Sequence, residues 1–172
     1  MIGFLTGWFS HADPIISEAR SADAPAMAAL HAACFNRGWS EDEFERLMLD
    51  RTVLLHRAAI GQRIVGFIVS RIIEGEAEIL SVAVAAARRR RGIATRTLDL
   101  HLRRLAGLGT RTVFLEVDEH NAPANRLYQH FGFRVVGRRE GYYAEQPGRG
   151  RGDAFTGESR GAVALILRCD LP

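Results

Sequence analysis

Between residues 52 and 84 the chain runs through three β-branched apolar segments, "TVLLHRA", "RIVGFIVSRII" and "AEILSVAV", separated by "IGQ" and "EGE". Breaks this short fit hairpins between antiparallel neighbours, because a parallel pairing needs a crossover of about a dozen residues or more. A three-strand meander is therefore the economical reading. The next stretch, "AAARRRRGIATRTLDLHLRRLAGLG", sets Leu98, Leu102 and Leu105 at four- and three-residue spacing, which predicts a helix ending near Gly107 and Gly109. The meander thus feeds a helix through four consecutive arginines.

The flanks complete an α+β pattern. "IISEAR" reads as a first strand and "SADAPAMAALHAACF" as a helix with Asp23 at its N-cap and Pro25 in its first turn. A second helix starts at "WSEDEFERLM", where Ser40 and Glu43 have capping-box spacing. Beyond the central helix come a strand, "RTVFLEVDE", a short helix, "NAPANRLYQHF", and two strands, "FRVVGRREGYY" and "AVALILRCDL". The order β α α β β β α β α β β predicts a central mixed, mostly antiparallel sheet flanked by about four helices. In "HFGF", Gly132 ends the short helix while Phe131 and Phe133 fill the core. Residues 1–14 read as an N-terminal arm, residues 15–172 as one domain, and residues 144–161, rich in Gly and Arg, as a long loop inserted before the last strand.

A chain of 172 residues, 47% hydrophobic and 25% charged, suits one globular domain with a sizeable core. All 23 basic residues are arginine, so arginine count alone says little about function. The net charge of +3 gives only mild attraction to nucleic acid or an anionic membrane. Cys34 and Cys169 are too few for a disulfide framework, the six histidines form no ligand-like cluster, and no metal is expected. No segment approaches the roughly 18 to 20 apolar residues of a membrane span, and the opening stretch lacks the basic start of a secretory signal. The expectation is a cytoplasmic protein, with a monomer favoured.

Arg89, Arg90, Arg91, Gly92, Ile93 and Ala94 follow the pattern Q/R-x-x-G-x-G/A at a strand-to-helix junction. Small residues there let the backbone approach a pyrophosphate, open N–H groups point outward, and the positive helix terminus faces the anion. Neither a Walker phosphate loop nor a dinucleotide G-x-G-x-x-G occurs in the chain. In "VFLEVDE", strand alternation sets Glu116 on the opposite face from Leu115 and Val117, where a carboxylate can line a cleft. Asn121 is a good N-cap for the helix opened by Ala122 and Pro123.

The stretches "RGWSEDEF", "SVAV", "RRRRGIATRTL", "FLEVDEHNAPANRLYQHFGF" and "RREGYY" resemble the GNAT acyltransferase superfamily over roughly residues 16 to 170. Within it they look most like the bacterial ribosomal-protein-alanine N-acetyltransferases. The resemblance implies acetyl-CoA as acetyl donor and the N-terminal segment of a small-subunit ribosomal protein as partner. It also implies that Val82, Ala83 and Val84 offer backbone groups to the pantetheine arm and that Arg89 to Thr95 cradle the pyrophosphate. By the same resemblance Asn121 contacts the cofactor, Glu116 accepts a proton, Tyr128 donates one, and Trp39, Tyr142 and Tyr143 border the acceptor.

Chemistry is compatible with that implication. A terminal α-amine is neutral in roughly 10% of molecules at pH 7 and a lysine in only about 0.04%, so an N-terminal acceptor needs less help to react. Cys34 lies far along the chain from the arginine run and has no matched base, so direct transfer is favoured over an acyl-enzyme. Two rivals stand beside this reading. One keeps the fold and changes the acceptor to a small-molecule amine or protein lysines. The other is a noncatalytic nucleic-acid-binding module using the arginines, whose binding should weaken steeply with salt.

Overall fold

A computed structural model describes residues 13–140 and 163–172. Seven strands form one sheet in the order β1-β2-β3-β4-β5-β7-β6. They are β1 (Ile15–Glu18), β2 (Val53–Ile60), β3 (Arg63–Ile73), β4 (Glu76–Val84), β5 (Thr112–Asp118), β6 (Arg134–Arg139) and β7 (Ala164–Asp170). The helices are α1 (Ala24–Cys34), α2 (Glu41–Leu49), α3 (Ile93–Gly107) and α4 (Ala122–His130). The predicted element order and the mixed sheet are both present. Every pairing is antiparallel except β4 with β5, which α3 joins as the crossover.

Alternation along the strands divides the core between two faces. On one face Leu54, Ile68, Ala77 and Ile79 pack with Leu98, Leu102 and Leu105 of α3, and this layer continues through Val113, Leu115, Tyr128 and Leu167. On the other face Leu55, Phe67, Val69 and Ala83 pack with Met27 and Leu30 of α1 and Phe44 of α2. The leucine stripe read from the sequence is thus the buried side of α3. The capping box of α2 is also in place: Ser40 Oγ accepts the Glu43 N–H at 3.2 Å, and Glu43 Oε2 accepts the Ser40 N–H at 2.7 Å.

Asp23 stands at the N-cap of α1, as expected, but its side chain does not cap the helix. Its carboxylate makes no cap bond to α1; it accepts the Arg20 N–H at 2.8 Å and pairs with Arg57 of β2 at 3.0 Å. A 3-10 turn at Ser21–Asp23 precedes α1 and takes up part of the predicted helix. The charged partner on β2, distant in sequence, competes successfully for the carboxylate. At the end of the arm Pro14 is buried and Asp13 pairs with Arg96 of α3 at 2.7 Å, while residues 1–12 lie outside the described residues. So does the whole Gly/Arg loop. No helix among the described residues is long and apolar enough to cross a membrane.

Candidate active site

Among the described strands the one parallel junction, β4 with β5, is short. Residues 76–79 of β4 pair with residues 112–115 of β5, and there the ladder stops. In the pairing of β3 with β4, Val69 faces Ser81 and Ser70 faces Ile79, so Leu80 is an extra residue on β4. Such a bulge bends its strand and increases the local twist. It also resets the alternation: Ala77 and Ile79 face α3 before it, whereas Ala83 after it faces α1. The β4 segment from Leu80 to Val84 and the β5 segment from Glu116 to Asp118 continue without pairing to each other. Val82, Ala83 and Val84 therefore border a gap in the sheet. Val82 packs partly on the α3 side, while Ala83 is buried on the α1 side.

The arginine run lies beyond the end of β4. A 3-10 turn at Ala86–Arg88 leads to Arg89, whose Nε donates to the Val84 carbonyl at 3.1 Å. Arg90 and Gly92 both have positive φ, 58° and 72°. Gly92 is the N-cap of α3, supplies no side-chain cap, and has no atom within 4 Å of where a Cβ would stand. The Gly92 carbonyl accepts from Arg96 at 3.0 Å, the first helical bond. The N–H groups of Ile93, Ala94 and Thr95 thus precede the intrahelical ladder and have no capping side chain. With Arg90 and Arg91 exposed beside them, they suit a pyrophosphate bound by backbone and charge together.

Glu116 projects into a cleft of 510 Å³ between α2 and strands β3 to β5, whose lining includes Trp39, Arg71, Glu78 and Leu80. Its Oε1 pairs with Arg139 Nη1 of β6 at 3.2 Å, and its side chain is 22% exposed. Tyr128 comes from the other side of the sheet. It is buried in the α3-side core, with its ring edge-on to Phe133 at 5.6 Å between centroids. Burial pushes its phenol up to about 12, so the hydroxyl keeps its proton at any ordinary pH. Glu116 and Tyr128 thus lie on opposite sides of the sheet.

Asn121 is the predicted N-cap: its Oδ1 accepts the Ala124 N–H at 3.3 Å. Asn125, which the sequence did not single out, donates from Nδ2 to the carbonyls of Asp118 and Glu119 at 3.2 and 3.1 Å, and so ties α4 to the end of β5. Trp39 sits between α1 and α2, at the cleft wall. Tyr142 and Tyr143 lie outside the described residues. Cys34, distant along the chain from the arginine run, is adjacent to it in space: its Sγ is 3.7 Å from Arg89 Nη2 and 3.7 Å from the Val84 carbonyl. Among the described residues no group of three or more His, Cys, Asp or Glu side chains is placed to hold a metal.

Residues 24–133 match the model of the acetyltransferase (GNAT) family. The chain belongs to that family and is an acyltransferase. Similar curated proteins include the [ribosomal protein bS18]-alanine N-acetyltransferase of Escherichia coli K12, 28% identical over 134 residues that cover 78% of this chain and 90% of that one. An N-alpha-acetyltransferase of Saccharolobus solfataricus is 31% identical over 101 residues, covering 51% and 60% of the two chains. Among solved structures, the Escherichia coli ribosomal-protein-S18-alanine N-acetyltransferase superposes with a TM-score of 0.77 at 23% identity, over 92% of this chain and 94% of that one. Arabidopsis thaliana NAA60 in complex with acetyl-CoA gives 0.74 at 19% identity, over 91% and 98%.

Proposed function

We propose that the protein transfers an acetyl group from acetyl-CoA to the N-terminal alanine amine of a small-subunit ribosomal protein, by direct attack. The observation that carries the reading is the gap between β4 and β5, with the open N-terminus of α3 at one end and the Glu116 cleft beside it. When bound, acetyl-CoA supplies an activated acetyl thioester. Ile93, Ala94 and Thr95 donate N–H groups to its pyrophosphate, Arg90 and Arg91 add charge, and Asn121 contacts it at the start of α4. Backbone groups of Val82 to Val84, freed by the parting of the strands, orient the pantetheine arm and polarise the carbonyl. The names of the curated relatives support the choice of a protein N-terminus as acceptor.

Glu116 takes the proton from the acceptor amine, directly or through one water. Tyr128 donates a hydrogen bond to the departing sulfur. Burial keeps its phenol protonated, so the hydroxyl is ready to give its proton to the sulfur as the C–S bond breaks. Trp39, and by the resemblance Tyr142 and Tyr143, border the acceptor.

The test is transfer of acetyl from acetyl-CoA to a peptide beginning Ala-Arg, beside an Nα-blocked peptide containing lysine. The enzyme has no lysine, so any acetyl-lysine detected comes from the peptide. Acetylation of the free N-terminus alone, with kcat lowered about 100-fold or more in Glu116→Gln, is the expected result. Acetylation of the blocked peptide's lysine would replace the acceptor assignment. Binding of acetyl-CoA with neither peptide modified would point to a small-molecule amine.

A further inference from the structure

We infer that His31 is a positioning residue for the acceptor side of the site, acting through Trp39; the inference rests on the proposed reading of the cleft as the acceptor site. His31 lies on the inward stripe of α1 with Met27 and Leu30 and is only 4% exposed. An apolar side chain would fill this place without the desolvation that holds the His31 pKa below its ordinary value. The imidazole makes a contact that a hydrocarbon cannot. Its Nδ1 accepts the backbone N–H of Trp39 at 3.1 Å, which sets the neutral ring with its proton on Nε2.

The same ring forms a floor for the indole. His31 and Trp39 stack with centroids 4.6 Å apart and planes 14° apart. Phe35 stacks at 4.4 Å, and Phe44 meets the imidazole edge-on at 5.9 Å. His31 therefore holds Trp39 at both its backbone and its side chain, with Phe44 beside the indole at 5.6 Å. The neighbours of Trp39 are fixed as well. A Cβ on Gly38 would lie 2.9 Å from Cα and Cβ of Ala32, so this segment runs hard against α1, and Ser40 is locked into the capping box of α2. Three consecutive residues, Gly38 to Ser40, thereby anchor the segment that brings Trp39 to the cleft it shares with Glu116.

The two functions of the imidazole can be separated. His31→Asn places an amide oxygen close to where Nδ1 stood but loses the stack. His31→Phe keeps a ring but leaves the Trp39 N–H without its acceptor. The experiment measures KM for the Ala-Arg peptide and for acetyl-CoA in both variants. It also measures Trp39 emission and acrylamide quenching in a Trp8→Phe background, where Trp39 is the remaining indole, and checks folding by circular dichroism. Expected for His31→Phe is a rise of about tenfold in peptide KM, acetyl-CoA KM within about twofold of wild type, and more readily quenched Trp39 emission, with His31→Asn closer to wild type. Combining His31→Phe with Trp39→Ala should add little to Trp39→Ala alone, since one residue acts through the other.

A folded His31→Phe with unchanged quenching and unchanged peptide KM would overturn the inference. Altered quenching with unchanged peptide KM would also overturn it, by removing Trp39 from the acceptor wall, while leaving the acetyltransferase reading intact. If the wild-type enzyme acetylates no peptide, the acceptor reading fails by itself, and the inference fails with it for want of an acceptor to position.

Discussion

Strands β3 and β6 belong to one sheet and differ in almost everything else. β3 buries six consecutive residues, Val65 to Ser70, because α3 covers one of its faces and α1 the other. β6 is an edge strand with no buried residue, and it carries Arg134, Arg138 and Arg139. Charge on an exposed edge opposes further strand pairing. Yet it is β6 that supplies Arg139 to Glu116, and β7 pairs with β5 along the whole length of the strand bearing Glu116. One half of the sheet is a frame made by packing on two sides. In the other half β5 and β7 still bury apolar residues on the α3 side, and it is the edge strand β6 that gives up burial and brings a charge to Glu116.

The sharpest way to break this contrast is Phe67→Ala. Phe67 is fully buried and meets Phe44 edge-on at 5.5 Å, so its loss should cost about 3 to 5 kcal/mol and lower Tm by about 10 °C. Val136→Thr on β6, 55% exposed, should stay within about 0.5 kcal/mol of wild type. Equal effects in thermal melts would mean that the two halves are not energetically distinct.

A smaller effect sharpens the contrast through pH. In the frame, His101 of α3 is fully buried, with Nε2 2.8 Å from Ser70 Oγ and Nδ1 2.8 Å from His56 Nδ1. Burial, and then the neighbouring His56, depress its pKa to about 3; burial also depresses that of His56, which feels Glu18 and Arg104. The unfolded chain takes up protons below about pH 6.5 that the folded rings refuse. The stability is therefore complete above pH 6.5 and is lost progressively as pH falls towards 3. From pH 7 to 4.5 the loss attributable to His101 should be roughly 2 kcal/mol, read by urea unfolding. A His101→Leu variant, weaker at pH 7, should lose correspondingly less over the same interval.

Where β4 gives way to α3 the smallest change is Gly92→Ala. The position has space for the methyl but not the favoured backbone angle, so the expected cost is strain of about 1 kcal/mol and a several-fold rise in acetyl-CoA KM with peptide KM unchanged. Isothermal titration with acetyl-CoA measures it directly.

What the sequence made legible was local. The meander followed from short breaks, α2 from its capping box, and the start of α3 from a glycine beyond an apolar strand. Asn121 could be read as a cap because capping depends on residues three positions away. The features that escaped join distant segments. Arg57 draws Asp23 away from α1, Arg139 reaches Glu116 from another strand, and His31 accepts from Trp39 across the α1–α2 connection. Six scattered histidines gave no hint that His56 and His101 meet inside the core. The bulge at Leu80 was equally hidden, since it is a mismatch between two strands and exists only once both are paired.

The short parallel junction beside that bulge also sets a cost of chain closure. Hairpins such as β2–β3 and β3–β4 zip between near neighbours, whereas the β4–β5 ladder must close a loop containing all of α3 for the return of residues 76–79 on 112–115. The four-residue ladder therefore carries a larger closure cost than the hairpins, and the gap beyond it exists only once that loop is closed. A donor that binds in the gap would bind only the chain in which that loop is closed, and would stabilise the folded state by mass action.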